Sequence, residues 1–257
     1  MGAELLTTTD GHVCTIALDR AHKHNALTRP MIEAFREATR AAMADPTIRV
    51  IVLRGNGPTF CAGLDLREMA AERASGETDL GDFERVLHEL EECPKPTIAA
   101  VQGNAIAGGC ELALHCDLLV AAENARFSMP LARIGLAVPV TLTWKLVDTI
   151  GAASTYELLF TGEAIDAATA LRLRMVNRVV PTAELEDHVA GLARGIAANA
   201  PLSVRAMKAF VRRAVEFRRD TPRDDLEALH RQVRQSEDFT EGLAAQREHR
   251  PPRFRGV

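Results

Sequence analysis

The sequence has few aromatic residues: among 257 residues there are one Trp, one Tyr and nine Phe. Because 47% of the residues are nevertheless hydrophobic, the core has to be built mainly from Ala, Val, Leu and Ile, and the chain is long enough for one large domain with an appended segment. An excess of positive charge is also lacking, since the formal net charge is −4. This balance argues against nucleic acid as the main partner, which usually requires a basic surface.

Cysteine is sparse and unpatterned: the five cysteines are scattered and form no CxxC pair. A disulfide framework or a zinc site is therefore not expected, no other metal is indicated, and reduced thiols are the default. The N-terminus lacks the apolar segment of a signal peptide, and no apolar run reaches the roughly 18 residues that span a membrane. We expect a cytoplasmic protein without a membrane contact.

Strand, turn and helix recur through the first half of the chain. The recurring units cover residues 13–44, 48–70 and 97–116, with a further strand at 117–121. Thr28 and Pro30 mark the start of a helix, and Asp45-Pro46 marks its end. The polar residues 72–82 are predicted to form a surface loop or a short helix. This order predicts an α/β architecture of stacked turns of chain.

The C-terminal third reads as nearly all helical. Helices are predicted at 184–198, 202–218 and 223–246. The Asn199-Ala200-Pro201 sequence punctuates this region. We therefore expect a core at residues 1–197 that carries the site and a helical module at residues 198–257.

Two glycine-bearing turns follow apolar strands and precede helices. In one, Leu64 follows Gly63, whose missing side chain lets a ligand approach the backbone closely. In the other, Gly108 begins a helix, where its N–H has no intrahelical partner and the helix dipole adds positive potential. Such N–H groups suit a negative charge that develops on a carbonyl oxygen. The alternative is that both turns only join a strand to a helix.

Glu111 lies in the first turn of the second of these helices, beside the apolar Leu112, Ala113 and Leu114. If this helix is buried, the pKa of Glu111 is raised, as is common for a group that transfers protons. The alternative is a structural role, because a carboxylate near a helix N-terminus is stabilised by the dipole.

Six segments follow one another in an order and spacing that resemble a known family. They are HNAL (24–27), DPTIRVIVLRG (45–55), FCAGLDLREM (60–69), KPTIAAVQGNAIAGGCELALHCDLLVAAENARF (95–127), LLFTGEAIDAATALRLRMVNRVV (158–180) and SEDFTEGLAAQREHRPPRF (236–254). Together they resemble the crotonase superfamily, also called the enoyl-CoA hydratase/isomerase family, over nearly the whole chain.

The resemblance implies a spiral of ββα turns with a C-terminal helical trimerisation region, and hence a homotrimer or a dimer of trimers. It implies no tightly bound cofactor; coenzyme A enters as part of an acyl-CoA thioester, whose enolate is stabilised by the N–H groups of Leu64 and Gly108. Glu111 matches one of the family's two hydratase glutamates. The positions matched to coenzyme A contacts are Lys23, Ala26, Ala62, Gly63, Leu64, Asp65, Leu66, Arg67 and Gly108.

The sequence departs from the family at the second glutamate, where it has Leu131. A leucine cannot accept or donate a proton, and a family Gly-rich stretch is replaced by branched residues at 138–142. The leading hypothesis is nominally an enoyl-CoA hydratase. The alternatives are an enoyl-CoA isomerase that uses Glu111 alone and a catalytically silent acyl-CoA-binding protein.

Two further interpretations concern residues near these turns. Asp65 precedes the helix DLREM and is predicted to cap its N-terminus. His22 and His24 flank Lys23, but no carboxylate or cysteine spacing completes a metal site around them. They are therefore predicted to be ordinary surface histidines.

Overall fold

The computed structural model describes residues 4–75, 81–216 and 224–255. Its strands are β1 (Leu5–Asp10), β2 (Val13–Leu18), β3 (Val50–Gly55), β4 (Thr97–Val101), β5 (Asn104–Ile106), β6 (Leu118–Ala122), β7 (Arg126–Ser128), β8 (Ile165–Asp166) and β9 (Arg178–Val180). Its helices are α1 (Arg29–Ala44), α2 (Leu66–Ser75), α3 (Gly81–Glu92), α4 (Gly108–Leu114), α5 (Val140–Thr161), α6 (Ala167–Arg172), α7 (Leu185–Ala197), α8 (Pro201–Glu216), α9 (Asp224–Gln235) and α10 (Glu237–Glu248). The predicted α/β class is confirmed.

Two sheets form the body. The larger has six strands in the order β1-β2-β3-β4-β6-β9, and the smaller has three in the order β5-β7-β8. In the larger sheet only β1 runs antiparallel to its neighbour, while β2, β3, β4, β6 and β9 are parallel. The chain thus alternates between the sheets, with β4 and β6 in one and β5 and β7 in the other, as expected for a spiral of repeated turns.

Both faces of the larger sheet are covered along its central strands, which explains why β3, β4 and β6 are almost continuously apolar, whereas the edge strand β1 is mostly exposed. Along β3, Val50 and Val52 point to the face that packs against Leu185 and Val189 of α7. The alternate residues Ile51 and Leu53 belong to the main core on the other face. The Leu64 turn follows β3 of this sheet, and the Gly108 turn follows β5 of the smaller sheet.

Helix boundaries follow the signals in the sequence. Thr28 caps α1 by accepting a hydrogen bond from Met31 N at 3.3 Å, with Pro30 in the first turn. Gly151, predicted to end a helix, has φ 77° and ψ 161° and breaks α5 into two helical parts. Gly162 ends α5 with φ 60°.

One sequence prediction is corrected, and the other, for residues 72–82, is narrowed to its helical alternative at both ends. Residues 223–246 were expected to form one helix, but the chain turns at Ser236, whose side chain caps α10 by accepting a hydrogen bond from Phe239 N. Within 72–82, α2 continues to Ser75 and α3 begins at Gly81, so these ends are helical; residues 76–80 lie outside the described residues. Strand β1 and the smaller sheet carried no sequence signal strong enough to be predicted.

The C-terminal helices pack back onto the body. Phe239 and Leu243 of α10 bury their side chains against Met69 of α2 and Leu136. In α8, Lys208 binds Asp117 at 2.7 Å. The division of the chain at 197/198 stays a prediction. None of the described helices combines the length and apolar character that crossing a membrane requires.

Candidate active site

A cleft of about 760 Å³ opens between the body and the C-terminal helices. That volume is in the range of ligand sites in proteins. The cleft brings together most of the residues predicted for the site: its lining includes Lys23, Ala26, Ala62, Leu64, Asp65, Leu66, Arg67, Gly108 and Glu111. Gly63 lies behind this lining, where an added Cβ would meet Ile106 O at 2.9 Å and Gly108 N at 3.1 Å.

The turn at Leu64 is fixed by pairing on both sides. Leu27 N donates to Gly63 O at 2.8 Å and Asp65 N donates to Leu27 O at 2.9 Å. In a parallel bridge of this kind the amide of the middle residue points the other way, so the Leu64 N–H is directed away from Leu27. On that other side Cys61 pairs with Ala105 of β5, the strand that leads into α4.

The turn at Gly108 meets the Leu64 turn there. Ala107 precedes α4 with φ 48° and ψ −119°, a conformation rare for a residue with a side chain. It frees the Gly108 N–H at the first position of the helix. In the part of the chain that the structure describes, neither the Leu64 N–H nor the Gly108 N–H donates to a protein acceptor.

Glu111 stands in the next turn of the same helix. It lines the cleft, yet only 4% of its surface is exposed. Burial, and to a smaller extent the negative charge of Glu84, raises the pKa of Glu111 to about 8. A carboxyl group with such a pKa is largely protonated at neutral pH and can donate a proton.

Another carboxylate, not predicted from the sequence, also lines the cleft. Helix α3 contributes Phe83 and Glu84 to the cleft. The Phe83 ring packs against the amide turn, since an added Cβ on Gly108 would lie 3.2 Å from Phe83 Cε1. Glu84 is half-buried beside it.

Another part of the cleft lining, formed by Leu131, Leu136, Ala137 and Pro139, is apolar. Leu131 is half-buried in a 3-10 turn at Pro130–Ile134 and lines the cleft. Leu136, Ala137 and Pro139 continue this wall up to the start of α5. The branched residues at 138–142 thus lie where this apolar part of the lining passes into the beginning of α5.

The loop that carries Lys23 is anchored from beneath. Asn25 is fully buried, and its side-chain amide donates to Thr59 O at 2.8 Å and Phe60 O at 3.1 Å. Arg20 donates to Ala26 O at 3.0 Å and to Asp65 Oδ2 at 2.8 Å. These bonds join the Lys23 loop to the segment between β3 and α2, which contains Leu64.

Asp65 has the predicted capping role, because its Oδ1 accepts from Arg67 N at 2.9 Å where α2 begins. Burial alone would raise the pKa of Asp65, but the hydrogen bonds from Arg20 and Arg67 outweigh it and hold the pKa below the usual range. Asp65 is thus a charged structural group that ties Arg20 to the first turn of α2.

Basic groups lie at the exposed margins of the cleft. His22, Lys23, His24 and Arg67 are exposed there, so the two histidines lie on the surface, as predicted, but also line the cleft. Sequence reasoning missed His230, Arg234 and Gln246, which α9 and α10 bring to the cleft from far along the chain. Among the described residues, no group of three or more His, Cys, Asp or Glu side chains is arranged to hold a metal ion.

These features define a class: an α/β protein with two strand-to-helix turns that present backbone amides to one cleft, beside a buried carboxyl group. Comparison with known proteins gives the family. The family model described as enoyl-CoA hydratase/isomerase matches residues 8–257. The chain belongs to the enoyl-CoA hydratase/isomerase family, the crotonase superfamily, and the predictions of family, of fold and of an enzyme are confirmed.

Individual relatives are similar over their whole length. The chain is 35% identical to a putative enoyl-CoA hydratase of Thermus thermophilus, covering 95% of this chain and 98% of that protein. It is 36% identical to carnitinyl-CoA dehydratase of Proteus mirabilis, covering 100% of both. Among solved structures, methylmalonyl-CoA decarboxylase in complex with 2-nitronate-propionyl-CoA matches with a TM-score of 0.90 and 30% identity, over 99% of each chain.

Proposed function

We propose that the protein adds water across the double bond of a 2-enoyl-CoA thioester. The observation that carries this proposal is the meeting of the Leu64 and Gly108 turns and Glu111 in one cleft. Names of relatives agree with it, since those above include an enoyl-CoA hydratase and a carnitinyl-CoA dehydratase. Each belongs to a protein at least 35% identical to this chain.

The chemistry follows from the two amides. The thioester oxygen binds between the N–H groups of Leu64 and Gly108. When the oxygen of water bonds to C3, the electrons of the double bond move onto the thioester oxygen. Preorganised hydrogen-bond donors stabilise the resulting enolate. One such donor is typically worth about 2.7–4 kcal/mol of transition-state stabilisation.

Glu111 completes the addition. Its protonated carboxyl group donates a proton to C2 as the enolate collapses, which restores the thioester carbonyl, and the proton released by the attacking water replaces the one that Glu111 gave up. Its burial supports this role, because it keeps the acid form populated near neutral pH.

The coenzyme A part of the substrate binds along the Lys23 loop and residues 62–67. Lys23, Ala26 and Ala62 line this side of the cleft, as do Leu66 and Arg67. The positive charges of exposed Lys23 and Arg67 suit phosphate groups. No tightly bound cofactor is part of the proposal.

The assembly is proposed to be a homotrimer or a dimer of trimers. Helix α8 exposes apolar side chains, with 79% of Leu202, 70% of Phe210 and 68% of Val211 accessible. An apolar patch of this kind usually marks an interaction surface. The cytoplasmic location stays a prediction.

The test compares a 2-enoyl-CoA with a 3-enoyl-CoA as substrates for the wild type and Glu111→Gln. Glu92→Gln is the matched control, since Glu92 is an exposed residue of α3. Water addition that is lost only in Glu111→Gln supports the hydratase. Double-bond migration lost in that variant indicates the isomerase instead, and thermal stabilisation by acyl-CoA without turnover indicates a binding protein, because stabilisation needs affinity alone.

A second candidate is decarboxylation of a 2-carboxyacyl-CoA. It is favoured by the TM-score of 0.90 to methylmalonyl-CoA decarboxylase and by the apolar Leu131 at the second glutamate position. Loss of carbon dioxide would leave the same enolate between the two amides. Release of carbon dioxide from methylmalonyl-CoA, with no hydration of any 2-enoyl-CoA, would replace the first candidate by this one.

A further inference from the structure

The cleft contains a pair of carboxyl groups, Glu111 and Glu84, that the sequence alone does not reveal. Glu111 comes from α4, and Glu84 comes from α3, a helix that carries none of the predicted site residues. Leu131 occupies the family position of the second glutamate and cannot transfer a proton. Besides the capping residue Asp65, the cleft therefore has two carboxyl groups, Glu111 and Glu84, but in a different arrangement.

Glu84 is held in place by the packing of its helix. Phe83, Val86, Leu87 and Leu90 of α3 are buried in the main core. Phe83 touches the Gly108 turn, with Phe83 Cζ at 3.3 Å from the position of an added Gly108 Cβ. Glu84 directly follows Phe83, so the contact that fixes α3 against the amide turn also fixes the position of Glu84 at the cleft.

Ion pairs of Glu89 and Glu91, which do not line the cleft, hold α3 against α1 and α5. Arg36 and Arg40 of α1 both bind Glu89, at 2.9 Å and 2.8 Å. Lys145 of α5 binds Glu91 at 2.9 Å. These contacts restrain rotation and sliding of the helix, which keeps Glu84 on the cleft side.

The charge of Glu84 acts on the carboxyl group of Glu111. The negative charge of Glu84 contributes to the raised pKa of Glu111, second only to burial. Two nearby carboxyl groups in such a relationship tend to divide into one that holds its proton and one that is ionised. Glu111 is the more deeply buried of the two and is the acid, whereas half-buried Glu84 is the more accessible to water and is the candidate base.

We propose that Glu84 is a catalytic residue that accepts the proton of the water attacking C3, while Glu111 donates the proton that reaches C2. The water oxygen forms the new bond to C3, and the C2–C3 π electrons move to the thioester oxygen and then to the proton from Glu111. One proton has then been gained by Glu84 and one lost by Glu111, and its transfer between them through solvent restores both. No further reactant is needed. This inference rests on the proposed hydration.

The experiment measures kcat, KM and the pH profile of 2-enoyl-CoA hydration for the wild type, Glu84→Gln, Glu84→Ala and Glu92→Gln. A proton-transfer group contributes about 10²–10⁴-fold. We expect Glu84→Gln to lower kcat by about 100-fold or more at every pH, with little change in KM. Formate should restore part of the activity of Glu84→Ala, because the formate anion can occupy the space and accept the proton. Glu92→Gln should match the wild type.

Each other result has a distinct meaning. A Glu84→Gln variant whose highest kcat matches the wild type, with only a shifted pH profile, would show that Glu84 tunes Glu111 and would overturn a catalytic role. An unchanged kcat and pH profile would overturn any role. If the wild type binds acyl-CoA but hydrates no 2-enoyl-CoA, the proposed function is refuted, and the role of Glu84 is refuted with it. If the wild type hydrates 2-enoyl-CoA and the Glu84→Gln variant is unaffected, only the role of Glu84 is refuted.

Discussion

Gly63 and Gly108 lie so close together that a Cβ added to Gly63 would be 3.1 Å from the Gly108 amide nitrogen. The same Cβ would meet Ile106 O at 2.9 Å, and Gly63 has φ 91°, where side chains are rarely accommodated. The two amide turns can approach each other only because Gly63 has no side chain. Their spacing is thus set by a residue that does not itself line the cleft.

Gly63→Ala is expected to push the two turns apart. We predict a loss of about 100-fold or more in hydration, the effect of losing one oxyanion donor, and a stability cost of about 1–3 kcal/mol from the strained backbone. Steady-state kinetics and thermal unfolding measure both. Gly191→Ala is the control: it sits in α7 with open space around its Cβ position, so the protein should become slightly more stable and stay fully active. Full activity of Gly63→Ala would contradict this account.

The buried side chain of Asn25 holds the segment that leads to Leu64 by hydrogen bonds to its carbonyl groups, and replacing Asn25 tests this role. Asn25→Ala leaves the carbonyl groups of Asn56, Thr59 and Phe60 without their donor, and a buried group left unpaired costs about 1–3 kcal/mol. Ala also fits the local φ of 54° poorly. We predict destabilisation by about 2–5 kcal/mol in denaturant unfolding. Asn124→Ala, which removes one bond of 3.3 Å from an exposed residue, should have little effect, and equal effects of the two changes would refute the prediction.

The elements that could be predicted from sequence are those whose signals are local. The cap at Thr28, the break at Gly151 and the turns before Leu64 and Gly108 each depend on residues a few positions apart. The first N–H groups of a helix always lack an intrahelical partner, so both turns can be predicted from the sequence alone.

The parts that were missed depend on contacts between distant segments. On α3, Glu84 is one acidic residue among several, and only the packing of Phe83 on Gly108 distinguishes it from Glu89 and Glu92. The break at Ser236 was missed because a serine inside a polar helical pattern does not reveal that Phe239 must turn toward Met69. Burial of Asn25 is equally invisible in the sequence.

Leu131→Glu tests whether a carboxylate in the opposite wall can take over from Glu84. In the Glu84→Gln background, Leu131→Glu places a carboxyl group in the half-buried wall of the same cleft. We predict recovery of hydration by about tenfold or more, since a positioned base contributes about 10²–10⁴-fold and the new position is not optimised. Stopped-flow or steady-state assays of both double variants measure it. Leu131→Gln in the same background is isosteric with the glutamate and should recover nothing; equal recovery by both would show that polarity, not proton transfer, is responsible.

The raised pKa of Glu111 makes a prediction about stability as a function of pH. In the unfolded chain its pKa is near the ordinary value of 4.5, and burial raises it to about 8 in the folded protein. Between these values the folded state binds more protons than the unfolded state, so this group's contribution to the free energy of unfolding falls as pH rises from about 4.5 to about 8. The full difference corresponds to an upper value on the order of 4–5 kcal/mol.

Glu111→Gln removes this titration while keeping the shape of the side chain. We therefore expect the variant to gain stability over the wild type as pH rises, with a difference that is small at pH about 4.5 and largest above pH about 8. Urea unfolding at a series of pH values measures the difference directly. Glu92→Gln, an exposed residue, should show no such trend. A difference between Glu111→Gln and the wild type that stays constant across this range, or that grows toward low pH, would mean that Glu111 is ionised in the folded protein and cannot be the acid that protonates C2.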